Sequence, residues 1–185
     1  PVEELYNEVQ QTLVNKLTPL ENIKAINHVL FNINQFNSNK SNFFTPQNFY
    51  INNVLERKKG NPLSLGLLYS ALAQKSGLPI YGVSLPVNFL LGYYDTQKPS
   101  SAKREDVLFF INPYNSGTAL SNKDLEAFLK RQNLKPEPDE FAAISNTAII
   151  KRLINNLIFS YEKLGYPEKS KSLAELRNVI SFSKI

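Results

Sequence analysis

Apolar positions in the first third of the chain repeat at the spacing of amphipathic helices. In residues 2–16 they recur every three or four positions, which predicts a helix with one buried face. Thr18, Pro19 and Glu21 form a capping pattern that opens a second helix, because Thr18 can accept a backbone N–H and Pro19 has none to lose. The apolar stripe of this second helix continues to Ile33.

The most distinctive apolar segment is residues 63–73, which is apolar on nearly every face. An Asn- and Ser-rich loop at residues 34–41 and a helix at residues 45–59 are predicted to precede it. Asn61 is placed to cap the segment, and Pro62 occupies its first helical position. A helix that is apolar all round must be buried, so this one is predicted to be the central helix, with its N-terminus at the surface or at a cleft.

After Gly77 the pattern changes to short runs rich in β-branched and aromatic residues. Residues 80–85, 89–94 and 107–112 are predicted to be strands, two of them antiparallel neighbours. The polar residues 95–106 are long enough to form a mobile hairpin loop between strands.

Helices return in the last third of the chain. Ser121 is predicted to cap a helix that runs to about Gln132, and residues 135–138 are the best candidate for a linker. Apolar residues then follow one helical face over residues 149–164, and Gly165-Tyr166-Pro167 breaks that helix before a returning partner. Two antiparallel helices of this length resemble one tetratricopeptide-type hairpin.

These elements predict an α+β fold, with a buried central helix against a small antiparallel sheet and helical segments at both ends. We divide the chain into an N-terminal helical segment at residues 1–44, a core at residues 45–135 and a C-terminal helical hairpin at residues 136–185. With 185 residues, of which 42% are hydrophobic, the chain can bury a core without disulfides or metals.

Residue types that are missing limit the chemistry. The chain contains no Cys, which excludes disulfides, thiolate metal sites and thiol catalysis and fits a reducing compartment. It has a single histidine, His28, and no Gly-rich phosphate loop, so no metal or cofactor is expected. Neither a signal peptide nor a run of roughly 18 apolar residues, as a membrane helix requires, is found. We therefore expect a soluble, cytoplasmic protein without a membrane partner.

The net charge of +5 does not by itself indicate nucleic-acid binding. The cations fall in short separated groups, without the interleaved Gly and aromatic residues of nucleic-acid surfaces. Most are interpreted as solvated helix ends, where cations are favoured: Lys58-Lys59 and Lys130-Arg131 each close a predicted helix. The other groups are Lys103-Arg104 and Lys151-Arg152. The chain is not predicted to bind nucleic acid.

Three motifs together resemble a known family. They are Gly60-Asn61-Pro62-Leu63-Ser64 at the central helix, Leu85-Pro86-Val87-Asn88-Phe89 at a strand, and Ile111-Asn112-Pro113-Tyr114 at the end of the next strand. With the order of the elements, they are similar to the SirB-type branch of the transglutaminase-like superfamily over roughly residues 45–180. The resemblance implies a papain-like cysteine protease core followed by tetratricopeptide-like helices.

In catalytic members of that superfamily, these places supply a Cys at a helix start, a His on a strand and an Asp on the next strand. Here the first motif offers only Ser64, Asn88 stands where many members have His, and Asn112 stands where catalytic members have Asp. A Ser hydroxyl needs a strong base, and an amide cannot accept and release a proton near neutral pH. We therefore predict no catalytic residue.

What the motifs can retain is binding. A hydroxyl and amide groups at a helix N-terminus can hold a peptide carbonyl or a carboxylate. On the resemblance, the candidate vestigial-site or ligand-binding residues are Asn61, Ser64, Asn88, Asn112 and Tyr114. For Ser64, Asn88 and Asn112 the alternative is local hydrogen bonding at a helix start, a turn or a strand end.

Three functions remain open on the sequence. The first is a catalytically inactive transglutaminase-like domain that serves as a protein or peptide interaction module or as a regulator. The second is a hydrolase or acyl transferase that uses a non-Cys site such as Ser64. The third is a nucleic-acid-linked regulator that uses the basic helix ends, which a steep salt dependence of binding would favour.

Overall fold

The centre of the fold is a long helix against a sheet. The computed structural model describes residues 1–13, 17–40, 44–83, 85, 89–96, 99–135 and 137–182. In it the helix α4 (Pro62–Lys75) packs on a five-stranded antiparallel sheet. The α+β fold class is therefore confirmed. As predicted, α4 is capped by Asn61 and buried along most of its length.

The three predicted strands appear in the sheet as β3 (Ile80–Val83), β4 (Leu90–Tyr94) and β5 (Val107–Asn112). The sheet also has two short edge strands that the sequence pattern does not predict, β6 (Thr118–Leu120) and β7 (Ala143–Ile144). The strand order is β6-β5-β4-β3-β7.

Both faces of the sheet are covered. Along β5, Phe109 and Ile111 enter the core that contains α4, whereas Phe110 enters a second core. Leu125 and Phe141 cover that second face. Burial on both sides explains why the strands are continuous apolar runs rather than alternating ones.

The first predicted helix is shorter than expected. α1 spans Val2–Thr12, and residues 14–16 lie outside the described residues. α2 spans Pro19–Asn27 and has the predicted capping box, in which the Glu21 N–H donates to Thr18 Oγ1 and the Thr18 N–H donates to the Glu21 carboxylate. The hydrogen bonds from Thr18 hold the pKa of the Glu21 carboxyl below its usual value.

The prediction that α2 continues as a regular helix to Ile33 is wrong. Residues His28–Ile33 form a π-helical turn, in which the Asn34 N–H donates to the Val29 carbonyl at 3.0 Å. The wider turn rotates the following side chains about the helix axis. As a result Phe31 is buried while Ile33 is 53% exposed.

Residues 34–59 contain more structure than the loop and single helix predicted there. β1 (Asn37–Ser38) pairs in parallel with β2 (Lys59–Gly60). Only Ile51–Arg57 form the helix α3, preceded by a 3₁₀ turn at Pro46–Asn48. The β1–β2 pairing joins segments about twenty residues apart, and a local sequence pattern does not report such a contact.

The C-terminal helices form as predicted. α5 spans Asn122–Arg131 after its cap Ser121, and α6 (Asn146–Lys163) and α7 (Pro167–Phe182) form an antiparallel hairpin. Of the predicted linker at residues 135–138, Pro136 lies outside the described residues, and Pro138 begins a 3₁₀ turn at Pro138–Phe141. Within the described ranges, none of the helices is long and apolar enough to cross a bilayer.

The boundaries at 44/45 and 135/136 stay predictions. β7, which follows the second boundary, pairs with β3. Ile149 of α6 and Ile26 of α2 belong to the same apolar cluster as Leu68 of α4. The three predicted segments therefore share one core.

Candidate functional site

Asn61 and Ser64 form a closed pair at the start of α4. The Asn61 N–H donates to Ser64 Oγ at 3.0 Å, and the Ser64 N–H donates to Asn61 Oδ1 at 2.9 Å. The Ser64 hydroxyl lies 3.2 Å from Asn61 Oδ1 and 3.3 Å from the Asn61 carbonyl oxygen, either of which can accept its proton. Neither residue has exposed surface. The pair is a capping box, which satisfies donors that the helix start leaves unpaired.

The surroundings of the Ser64 hydroxyl limit its chemistry. Within the described residues, every hydrogen bond of this hydroxyl goes to Asn61. His28 is the single histidine of the sequence; it is exposed on the π-helical turn, with Nδ1 3.5 Å from Asn32 Nδ2. Nucleophilic catalysis by a serine requires a hydroxyl that the substrate can reach and an adjacent base.

One atom of the pair lacks a partner. The Asn61 Nδ2 amide is buried and makes no hydrogen bond to any residue in the described part of the chain. Its orientation is set by the cap, because Oδ1 must face the Ser64 N–H. A buried unpaired donor costs about 1–3 kcal/mol.

The predicted residues at the end of β5 make local hydrogen bonds. Asn112 Oδ1 accepts the Tyr114 N–H at 3.1 Å, and the Asn112 carbonyl accepts the Gly117 N–H at 2.9 Å. The Tyr114 hydroxyl donates to the Asn39 carbonyl at 3.1 Å. The Asn39 N–H in turn donates to the Gly60 carbonyl at 2.9 Å. Asn39 therefore connects the end of β5 to the residue before the α4 cap.

Phe89 of the second motif packs beside α4 just after the first motif. A Cβ on Gly66 of α4 would lie 2.4 Å from Phe89 Cε1, and a Cβ on Gly82 of β3 would lie 2.8 Å from Phe89 Cζ. The same Cβ on Gly66 would also lie 3.5 Å from Pro113 Cγ, next to Asn112. The two glycines thus leave room for the Phe89 ring.

Asn88 lies outside the described residues, as do Pro86 and Val87. Its assignment as a ligand-binding residue stays a prediction. Of the other four candidates, Asn61 and Ser64 are in direct contact, and Asn112 and Tyr114 are in direct contact. The two pairs meet through Asn39 and through the packing of Gly66 on Pro113.

Arg152 is a residue near these motifs that sequence reasoning missed. The interpretation of most basic groups as helix ends does not hold for it, because it lies inside α6 and is half-buried. Its guanidinium lies over the Phe89 ring, 5.6 Å from the centroid, and burial lowers the pKa of Arg152. It makes no ion pair with a described carboxylate. The sequence feature that could have identified Arg152 is its position three residues after the core residue Ile149, on the same helix face.

Two cavities lie on the α6–α7 hairpin. Their volumes are about 510 Å³ and 710 Å³, and Tyr161 and Lys169 line both. In the described ranges, no three His, Cys, Asp or Glu side chains are grouped so that they could hold a metal ion. Both cavities therefore combine an aromatic ring, Tyr161, with a basic side chain, Lys169.

Known proteins resemble the chain over most of its length. The profile of the transglutaminase-like superfamily matches residues 1–155, so the likeness begins with the N-terminal helices rather than at residue 45. UPF0162 proteins of Xylella fastidiosa and Vibrio cholerae are 31% and 30% identical, over 94% and 80% of the chain. F-box only protein 21 of Mus musculus is 26% identical over 83% of the chain and 24% of its own length.

The chain spans 59% and 53% of the lengths of those two bacterial relatives. No solved structure matches it. The matched residues contain α1 to β7, and with them all three motifs and the Asn61–Ser64 pair. The chain belongs to the transglutaminase-like superfamily.

Proposed function

We propose that this domain is a catalytically silent member of its superfamily and serves as a protein or peptide interaction module. The observation that carries the proposal is the burial of the Ser64 hydroxyl in its exchange of hydrogen bonds with Asn61. A hydrolase or acyl transferase needs a nucleophile that the substrate can reach and a base that activates it. The surroundings of Ser64 favour neither condition.

The residue types of the chain support the proposal. The sequence has no Cys, so the thiolate chemistry of a Cys-His pair is closed to it. Asn112 Oδ1 already accepts the Tyr114 N–H, and this bond occupies the group that would otherwise orient a catalytic imidazole. The three positions where catalytic members have Cys, His and Asp thus have side chains suited to structure or to binding, namely Ser64, Asn88 and Asn112.

The finer form of the proposal is a cytoplasmic SirB-type domain followed by tetratricopeptide-like helices. The order of the elements and the α6–α7 hairpin support it. A single hairpin is one unit of such repeats, which use concave helical surfaces for binding. Because the chain spans little more than half of its bacterial relatives, the proposal concerns this part of the protein.

The competing function is a hydrolase or acyl transferase that uses Ser64. The feature in its favour is the position of Ser64 in the first turn of α4, where the helix dipole stabilises developing negative charge. This alternative requires the capping box to open and a base to come from elsewhere.

A turnover assay separates the two functions. Wild type, Ser64→Ala and Ser70→Ala are compared on a panel of activated esters and on glutamine-donor peptides with an amine acceptor. Ser70 is the matched control, because it is buried in the same helix and donates to the Leu67 carbonyl. We expect all three rates to equal the rate in buffer alone. Turnover that Ser64→Ala abolishes and Ser70→Ala retains would overturn the proposal.

The interaction half of the proposal needs its own measurement. A peptide-display selection against the wild-type protein should return binders, and mass spectrometry should recover those peptides unmodified after incubation. A selection that returns none would contradict the interaction module.

A further inference from the structure

Basic and aromatic side chains meet in a cleft between residues 44–47 and the α6–α7 hairpin. We call it the hairpin cleft; its residues include Phe44, Tyr161, Lys163, Tyr166 and Lys169. Its volume is about 510 Å³, which lies in the range of sites that hold a small molecule or several peptide side chains. The cleft therefore has the size of a binding site.

Aromatic rings hold both lysines in place. The Lys169 ammonium lies 5.1 Å from the centroid of the Tyr161 ring and 5.0 Å from that of the Tyr166 ring. The two rings meet edge to face at 6.2 Å. The Lys163 ammonium lies 4.7 Å from the centroid of the Phe159 ring. Cation–π contacts of this kind orient an ammonium without neutralising its charge.

The charge of the cleft is not balanced from within. Among the residues that the structure describes, no Asp or Glu lines the cleft, and neither Lys163 nor Lys169 makes an ion pair with a carboxylate. Glu168 lines the neighbouring cavity instead. Lys169 also lies in the first turn of α7, where the helix dipole disfavours a cation. Helix stability therefore does not account for this lysine.

The cleft continues along α7 into a groove lined by both polar and apolar side chains. The neighbouring cavity of about 710 Å³ shares Tyr161 and Lys169 and is also lined by Tyr50, Leu173 and Leu176. Leu176 is 50% exposed. An extended segment that enters the cleft can therefore place an apolar side chain in the groove.

We propose that the hairpin cleft binds a peptide segment that presents Asp or Glu side chains to Lys163 and Lys169 and an apolar side chain to the groove. The inference rests on the proposed function, to which it assigns a surface and a partner chemistry. Two cations inside a concave aromatic site match the carboxylates of one short segment. Nucleic acid, in contrast, is bound through many phosphate contacts along an open basic surface.

Fluorescence anisotropy with a labelled probe tests the inference. The probe is an acidic peptide in which Leu and Phe are spaced among Glu residues, and its control is the same peptide with every Glu replaced by Lys. We expect the acidic peptide to bind and the Lys-substituted control peptide not to bind. The affinity for the acidic peptide should fall as the salt concentration rises. The double variant Lys163→Gln/Lys169→Gln should weaken binding by about tenfold or more.

A matched variant controls for net charge. Lys24→Gln/Lys123→Gln removes two exposed lysines outside the cleft and should change the affinity by less than about twofold. Lys163→Arg/Lys169→Arg should retain most of the binding, because the charges remain. All four lysines are exposed, and cation–π contacts at exposed sites are weak, so circular dichroism should not change and the melting temperature should change little.

The outcomes distinguish a wrong binding surface from a wrong proposed function. Equal binding of both peptides, equal effects of the two glutamine double variants, or a duplex oligonucleotide that displaces the peptide would overturn the inference. If display selection returns peptides that bind independently of Lys163 and Lys169, the surface is wrong and the proposed function stands. If selection returns no peptide, both fail.

Discussion

Asn61 and Ser64 exchange hydrogen bonds in both directions at the start of α4, and both are fully buried. Through this exchange the motif that resembles a catalytic helix start contributes to the stability of the central helix. The same polar atoms that would have to serve chemistry are already engaged in structure.

Replacement of Asn61 should show how much the cap contributes. Asn61→Ala removes the oxygen that accepts the Ser64 N–H, so the free energy of unfolding should fall by about 1–2 kcal/mol. Asn61→Ser keeps a capping oxygen and removes the unpaired Nδ2, so it should cost less than half as much. Urea denaturation measures both, and equal losses would contradict the capping role.

Gly66 should not tolerate a methyl group. Alanine normally gains about 1 kcal/mol over glycine inside a helix. Here the new Cβ would lie 2.4 Å from Phe89 Cε1, so Gly66→Ala should instead lower the free energy of unfolding by about 1–3 kcal/mol. Thermal and urea unfolding measure the change.

The partner substitution identifies the cause. Phe89→Leu alone should destabilise the protein, because the ring fills the space above Gly66 and Gly82. The double variant Gly66→Ala/Phe89→Leu should lose less than the sum of the single losses. Strictly additive losses would show that Phe89 does not limit the space at Gly66.

Gly117, which lies just before β6, contacts Asn27 of α2 and should not tolerate a side chain. It has a φ of 70°, Asn27 Nδ2 of α2 donates to its carbonyl at 2.9 Å, and a Cβ there would lie 1.9 Å from Asn27 Oδ1. Gly117→Ala should therefore cost about 2 kcal/mol or more in unfolding free energy. Gly77 has a similar φ of 76° but no atom within 4 Å of its Cβ position, so Gly77→Ala isolates the strain alone. Equal losses for both variants would rule out the clash.

Stability should fall in strong alkali because of buried tyrosines. Burial and a hydrogen bond with Tyr161 raise the pKa of Tyr50 to about 12. In the unfolded chain the pKa of a tyrosine is about 10, so the folded state retains this proton over a higher range of pH. The stabilisation that the raised pKa of Tyr50 gives the folded state is fully present below about pH 10 and is lost as the pH rises through about 12. Burial also raises the pKa of Tyr69 and of Tyr94.

Two variants test this pH dependence. Tyr50→Phe removes one titrating group, so the slope of unfolding free energy against pH above about 10 should become shallower without vanishing. Tyr161→Phe removes the hydrogen bond and should lower the pKa of Tyr50, as read from phenolate absorbance. An unchanged alkaline slope in Tyr50→Phe would contradict the assignment.

Local patterns predicted most elements of the fold. Asn61, Thr18 and Ser121 lie at the helix starts that their capping oxygens predict, and the three apolar runs form β3, β4 and β5. These features depend on neighbours within a few residues, which the sequence displays directly.

What sequence reasoning missed depends on contacts between distant residues. The β1–β2 pair, the edge strand β7 and the position of Arg152 over Phe89 each join segments that are far apart in the chain. The π-helical turn at His28–Ile33 also escaped, since the same apolar residues fit a regular helix equally well. Of the candidate site, the motifs and the local hydrogen bonds of Asn61 and Asn112 follow from neighbours in the sequence. The link from Tyr114 through Asn39 to Gly60 joins distant segments and required the three-dimensional arrangement.

Covalent trapping at Ser64 tests directly whether this domain is catalytically silent. Wild-type protein is incubated with a fluorophosphonate and, separately, with an activated acyl ester, and intact mass and peptide mapping locate any adduct. We predict no adduct at Ser64, because its hydroxyl is buried and bonded to Asn61. A stoichiometric adduct that maps to Ser64 in the folded protein and disappears in Ser64→Ala would contradict the claim that this domain is catalytically silent.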